Sequence, residues 1–189
     1  IGTLYNIPPV RLKDVPYADV LSESINNPIR LLMGWYCTGM GSAPPISILL
    51  AYWMFGAFLM AIKRFAEYRA IGDPPRAALY RKSFGYYNEE RLLVSILYYA
   101  SLFAMFAAVF ITRYQIEVVL ATPLVAYAMA YYLHLGYKPE SAAQYPERLY
   151  KEHKLMAIVL VSFAACGLFL FWDLPKFADL LVPWHNPPP

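Results

Sequence analysis

Residues 19–34 read DVLSESINNPIRLLMG, polar and charged side chains set into an otherwise apolar stretch. On a helix, Asp19, Glu23, Asn26 or Asn27, Arg30 and Gly34 recur at steps of three or four and share one face. Carboxylates, amides and a guanidinium on such a face cannot point at lipid, because a charge at the bilayer centre costs at least ~2.5 kcal/mol. The stripe therefore lines a bundle interior or a water-filled cavity. It serves either as a polar substrate surface or as an internal salt bridge, Glu23 with Arg30, that ties helices together. Pro28 removes one backbone hydrogen bond and is expected to bend the helix there.

A second cluster is AIKRFAEYR at 61–69. Lys63 and Glu67 lie one turn apart and can pair. The adjacent cations Lys63 and Arg64, at the mouth of a membrane helix, suit a diphosphate, since Lys and Arg are the usual phosphate partners. Plain anchoring at the cytoplasmic surface needs the same cations. A third cluster, YRKSFGYYN at 80–88, interleaves Arg81 and Lys82 with aromatic rings. It fits a loop folded over the mouth, and equally a loop resting on lipid headgroups. His134, His153 and His185 are scattered without metal spacing. Neither a Ser-His-Asp arrangement nor a phosphate-binding glycine loop is present.

The elements that must position these residues follow from composition. The chain of 189 residues is 59% hydrophobic and 15% charged, against about 25% charged in soluble domains. That excludes a disordered chain and a collagen-like one, and two cysteines cannot staple a fold. Cys37 and Cys166 fall in apolar runs and read as buried thiols. Uncharged runs cover 92–112, 118–137 and 155–172, and a longer one, 31–62, is broken by GMGSAPP at 39–45. Each crossing needs about 20 apolar residues. The expected fold is all-α and integral to a membrane, with about five transmembrane helices at 19–39, 45–64, 91–112, 116–136 and 154–173. Loops then occupy 65–90 and 137–153, within a single domain, 1–189. Within these loops, Asp73-Pro74-Pro75 and Pro146-Glu147 read as helix starts.

Of the 16 Lys and Arg, all but Arg30, Arg113 and Lys176 fall before the first span, in those two loops, or, as Lys63, Arg64, Arg91 and Lys154, at the span ends that border them. The positive-inside rule then places the N-terminus in the cytoplasm and the C-terminus outside, in a bacterial-type inner membrane. The cations follow topology rather than a surface patch, so nucleic acid is not an expected partner. The tail, 174–189, reads as interfacial.

Three segments carry a resemblance: SINNPIRLLMGW (24–35), IKRFAEYRAIG (62–72) and ALYRKSFGYYNEERLL (78–93). With them the chain resembles the second half of UbiA-superfamily prenyltransferases, in particular the decaprenyl-phosphate phosphoribosyltransferase branch. The resemblance implies a nine-helix bundle around a cavity open to the cytoplasm. It implies transfer of a phosphoribosyl or prenyl group to or from a polyprenyl (phosphate) substrate; in that branch, phosphoribosyl pyrophosphate is the donor. Lys63, Arg64 and Glu67 then fall at the family's second motif, near the donor phosphates, and Arg30 and Asn27 line the cavity. With Glu23, Asn26, Arg81 and Lys82 they form the expected substrate- and diphosphate-binding set.

The superfamily's first motif, Asn-Asp-x-x-Asp, is not in this sequence. Mg2+ is therefore implied with its main ligands outside the sequence. Neither a catalytic residue nor a metal ligand is assigned within it. The chain begins at Ile1 rather than Met and reads as the later half of a longer enzyme. The alternative is a non-catalytic accessory subunit packed in a larger membrane complex. Membrane lipids, a polyprenyl substrate, and either other membrane subunits or further copies of the chain are the expected partners.

Overall fold

A computed structural model describes residues 5–7, 9, 11–39, 41–139, 141–172 and 174, and among them all regular structure is helical. The helices are α1 (Ala18–Ser24), α2 (Asn26–Cys37), α3 (Ile46–Ile71), α4 (Pro74–Tyr80), α5 (Glu89–Tyr114), α6 (Thr122–Gly136) and α7 (His153–Phe171). Short 3-10 turns at Leu12–Asp14, Lys82–Gly85, Ile116–Ala121 and Pro146–Lys151 join them. Among the described residues, four stretches are long and apolar enough to cross a membrane: Ile46–Ile71, Glu89–Tyr114, Ile116–Gly136 and His153–Phe171.

The expected span at 19–39 is instead two helices, of seven and twelve residues. Alone, α2 is about 18 Å long, short of a hydrocarbon core of about 30 Å. Pro28 sits in the first turn of α2, where its missing N–H leaves no intrahelical bond unmade. Most of the expected interfacial tail lies outside the described residues.

The centre of the fold is the antiparallel pair α3 and α5. Arg69, near the end of α3, holds Glu89 at the start of α5 at 2.7 Å, and Phe55 packs on Phe103 with ring centroids 5.3 Å apart. Ala57, Ala61, Ile62 and Phe65 of α3 are wholly buried, as is Leu92 of α5. The helix α6 closes on the same face. A Cβ at its Gly136 would lie 3.1 Å from Ile62 Cγ2, so a glycine is what lets the two backbones approach.

The opposite faces of α5 and α7 are apolar and exposed, Val94 and Leu160 among them. That is the outward arrangement of helices solvated by hydrocarbon.

Helix α3 runs about two turns past the expected end at residue 64. Its polar turns stay helical because Arg64 bonds Glu67 one turn on and Arg69 reaches Glu89. It stops at Gly72, which takes φ +66° and returns its N–H to the Tyr68 carbonyl at 3.2 Å. The prolines that follow start α4, so both chain-terminating signals act together.

Asn88 caps α5, its side chain accepting the Arg91 N–H at 2.7 Å, with Glu89 and Glu90 in the first turn. Asn88→Ala is expected to lower unfolding stability by about 1 kcal/mol, measured by thermal melting in detergent. The expectation of two buried thiols is corrected: Cys37, in the last turn of the short α2, is exposed, and Cys166 is half-buried.

Candidate functional site

A charged hub is buried where α1 meets α3. The Arg64 guanidinium is 2% exposed and is surrounded by three carboxylates. Nη1 donates to Glu67 Oε2 at 2.9 Å and Nη2 donates to Glu23 Oε2. Nε lies 3.4 Å from Asp19 Oδ2, close enough for attraction but without hydrogen-bond alignment.

Asp19, wholly buried, is held from its other side as well. The Tyr87 hydroxyl donates to Oδ1 at 2.8 Å, and Ser83 Oγ and Arg81 Nη1 approach Oδ2 at 3.4 and 3.5 Å. Burial, and then the Asp19 charge, raise the Tyr87 phenol above its ordinary value, so it stays a donor. Tyr5 completes the ring, donating to Glu23 at 3.3 Å and accepting from Arg81 at 3.4 Å.

Local structure aims these groups. Trp53 of α3 donates to the Leu21 carbonyl at 3.1 Å and fixes the height of α1. Tyr17, just before α1, takes φ +63° and gives its backbone N–H to the Tyr87 hydroxyl. Its ring stands edge-on to those of Tyr86 and Tyr87. Buried ions survive only when paired and hydrogen-bonded, and here Asp19, Glu23 and Arg64 are each reached from at least two elements.

Of the expected site residues, Glu23, Arg64, Glu67 and Arg81 meet in this hub. The expected pairing of Glu23 with Arg30 does not form: Glu23 turns to Arg64 and Tyr5, and Arg30 has no ion pair among the described residues. Glu67 pairs with Arg64 rather than with Lys63. Lys63 is half-buried and Lys82 exposed, neither in an ion pair among the described residues. Asn26 donates back to the Glu23 carbonyl at 3.0 Å. Asn27 lies over Gly56, where a Cβ would come 1.9 Å from Asn27 Nδ2 and 3.3 Å from Ser24 Cβ. Gly56→Leu is expected to destabilise by roughly 1–3 kcal/mol and to push α1 and α2 off α3, visible as a lower melting temperature.

Asp19, Tyr5, Ser83 and Tyr87 belong to the hub but not to the expected set. Asp19 is at helical spacing from Glu23 and was within reach of the stripe argument. Ser83 and Tyr87 are 64 and 68 residues from Asp19, and Tyr5 is 18 from Glu23 and 76 from Arg81. No periodicity reports such pairs.

The carboxylates of the hub do not fit Mg2+. Each is bound to a guanidinium, and no group of three or more His, Cys, Asp or Glu among the described residues is placed to hold a metal ion.

Beside the hub, α2, α3, α5, α6 and α7 enclose an open groove of about 1310 Å3. Phe55, Phe103, Ile96 and Met129 line it, and Arg30 is the one charged residue in its wall. The groove is long and apolar with a single cation, a shape for a hydrocarbon chain that carries one anionic end. Comparison with protein-family models, curated proteins and solved structures gave no match.

Proposed function

We propose that the chain is the polyprenyl-binding part of a UbiA-like membrane transferase, which moves a phosphoribosyl or prenyl group to or from a polyprenyl (phosphate) substrate. The observation that carries this reading is the apolar groove with Arg30 in its wall. An isoprenoid chain would fill the space between α5 and α6, and Arg30 would meet the phosphate. In this reading the cation-rich loops face the cytoplasm, and α1 and α2 complete a fifth crossing within a nine-helix ring. The N-terminus is then cytoplasmic and the C-terminus outside. The Mg2+ implied by the resemblance would take its carboxylates from outside this sequence, and no step is assigned through it.

The test uses a photoreactive polyprenyl phosphate and the intact protein in membranes. Labelling of the Phe103 and Met129 peptides, competed by unmodified polyprenyl phosphate, is the expected result. Transfer of labelled phosphoribose from phosphoribosyl pyrophosphate onto polyprenyl phosphate would identify the reaction. Labelling spread over the outer faces of α5 and α7, without competition, would overturn the reading.

A second reading is favoured by the alanines at positions 100, 104, 107 and 108 in the groove wall. Small residues at helical spacing admit another helix closely, as in an accessory subunit of a larger complex. Recovery of the protein always joined to a second membrane protein through the groove, without transfer activity, would select it.

A further inference from the structure

The turn after α3 carries a feature that the groove does not use. Leu79 is 89% exposed and Tyr80 65% exposed, both at the end of α4. The inner side of this short helix is already satisfied by Ala77, which is 1% exposed, and by Ala78 against Gly85. Leu79 therefore faces outward, with nothing among the described residues to cover it.

The same two residues line a depression of about 380 Å3 with Arg11, Lys13, Arg81 and Lys82. Asp14, the one acid in that lining, pairs with Arg11 at 3.1 Å. Arg81 is shared with Asp19 and Tyr5 inside the hub. Lys13 donates to Asn6 at 3.2 Å and has no ion pair among the described residues, nor has Lys82. The depression keeps a positive balance after its internal pairs are made.

Its place in the fold supplies the partner. It sits beyond the end of the α3–α5 pair marked by Arg69 and Glu89, at the polar end of two helices long and apolar enough to cross a membrane. An exposed leucine and a tyrosine beside unpaired lysines at that depth match an interface of acyl chains below and phosphates above. A soluble phosphate would need the cations but would leave Leu79 uncovered.

We propose that this depression seats the headgroup phosphate of an anionic phospholipid, with Leu79 and Tyr80 dipping into the adjoining acyl region. The site uses no residue of the apolar groove, but it takes Arg81 and Lys82, which the resemblance would give to the donor diphosphate, and the pyrophosphate arm of the test separates the two.

The experiment reconstitutes the full chain, with Cys37→Ser and Cys166→Ala, and attaches an environment-sensitive fluorophore at Leu79→Cys. Emission is recorded in phosphatidylcholine vesicles titrated with phosphatidylglycerol. A blue shift with added phosphatidylglycerol is expected. Lys82→Gln should raise the half-maximal phosphatidylglycerol fraction about fivefold, the equivalent of about 1 kcal/mol per cation. Lys151→Gln, in the other loop, should leave it in place. Emission that ignores phosphatidylglycerol, or equal effects of the two lysine variants, would overturn the site. So would inorganic pyrophosphate at constant ionic strength giving the same shift in phosphatidylcholine alone, which would assign the depression to a soluble phosphate.

Discussion

Arg64→Ala is expected to remove about 3–5 kcal/mol of folding stability, the largest effect of any single substitution in the chain. The reason is what it leaves behind. Asp19, Glu23 and Glu67 are brought to one point by the guanidinium, and Asp19 and Glu67 are buried. Without Arg64, like charges face one another out of water, and Arg81, at 3.5 Å from Asp19, is the one cation left in the hub. Arg64→Lys keeps a charge but loses the planar fork that serves Glu23 and Glu67 from separate nitrogens.

The measurement is thermal unfolding of the purified protein in detergent, with the yield of monodisperse protein as a second readout. Combining Arg64→Ala with Glu23→Gln and Glu67→Gln should restore part of the loss, because the orphaned charges go with it. A variant that melts like the parent but no longer takes up polyprenyl phosphate would show that Arg64 is a ligand contact and not a strut.

Arg30→Ala should do the reverse. Arg30 is exposed and makes no ion pair among the described residues, so folding loses little. If it meets the phosphate of the bound amphiphile, its loss removes a charged hydrogen bond of about 1.5–3 kcal/mol, roughly ten- to hundredfold in Kd. Arg30→Lys should recover part of that affinity, since the point charge remains while the fork is lost. Competition of polyprenyl phosphate against the photoreactive probe reads both variants. A neutral polyprenol offers no charge to Arg30 and should bind parent and variant alike. If Arg30→Ala weakened both ligands equally, the arginine would be shaping the groove rather than reading the anion.

The long spans were legible because a membrane crossing needs only a run without charge, and 92–112 and 155–172 declare themselves that way. The first span was not, because a run of suitable length says nothing of where a helix is interrupted. The break falls at Ile25, three residues before Pro28, whose ring has no N–H to return to the Ser24 carbonyl, so the bend expected there ends one helix and starts the next. The hub was half legible. Charged residues at helical spacing announced that Asp19 and Glu23 must face inward, and the cluster at 61–69 singled out Lys63, Arg64 and Glu67 but gave Glu67 to Lys63. Which cation answers which acid is a matter of tertiary reach, so a neighbour at helical spacing, Arg30, was the natural partner in the sequence and is not the partner in the fold. The groove left no local signal, since its wall is drawn from five helices and differs from lipid-facing surface only in being concave.

Glu23 and Arg64 are separated by 41 residues, and Asp19 and Tyr87 by 68. During synthesis the acids of α1 therefore leave the ribosome well before the cation that neutralises them. Until α3 follows, Asp19 and Glu23 have only water to hold their charge. Arg64 allows α1 to dock, and the turn after α4 then closes over Asp19 with Arg81, Ser83 and Tyr87. The hub can therefore be complete only once the chain has been made through Tyr87.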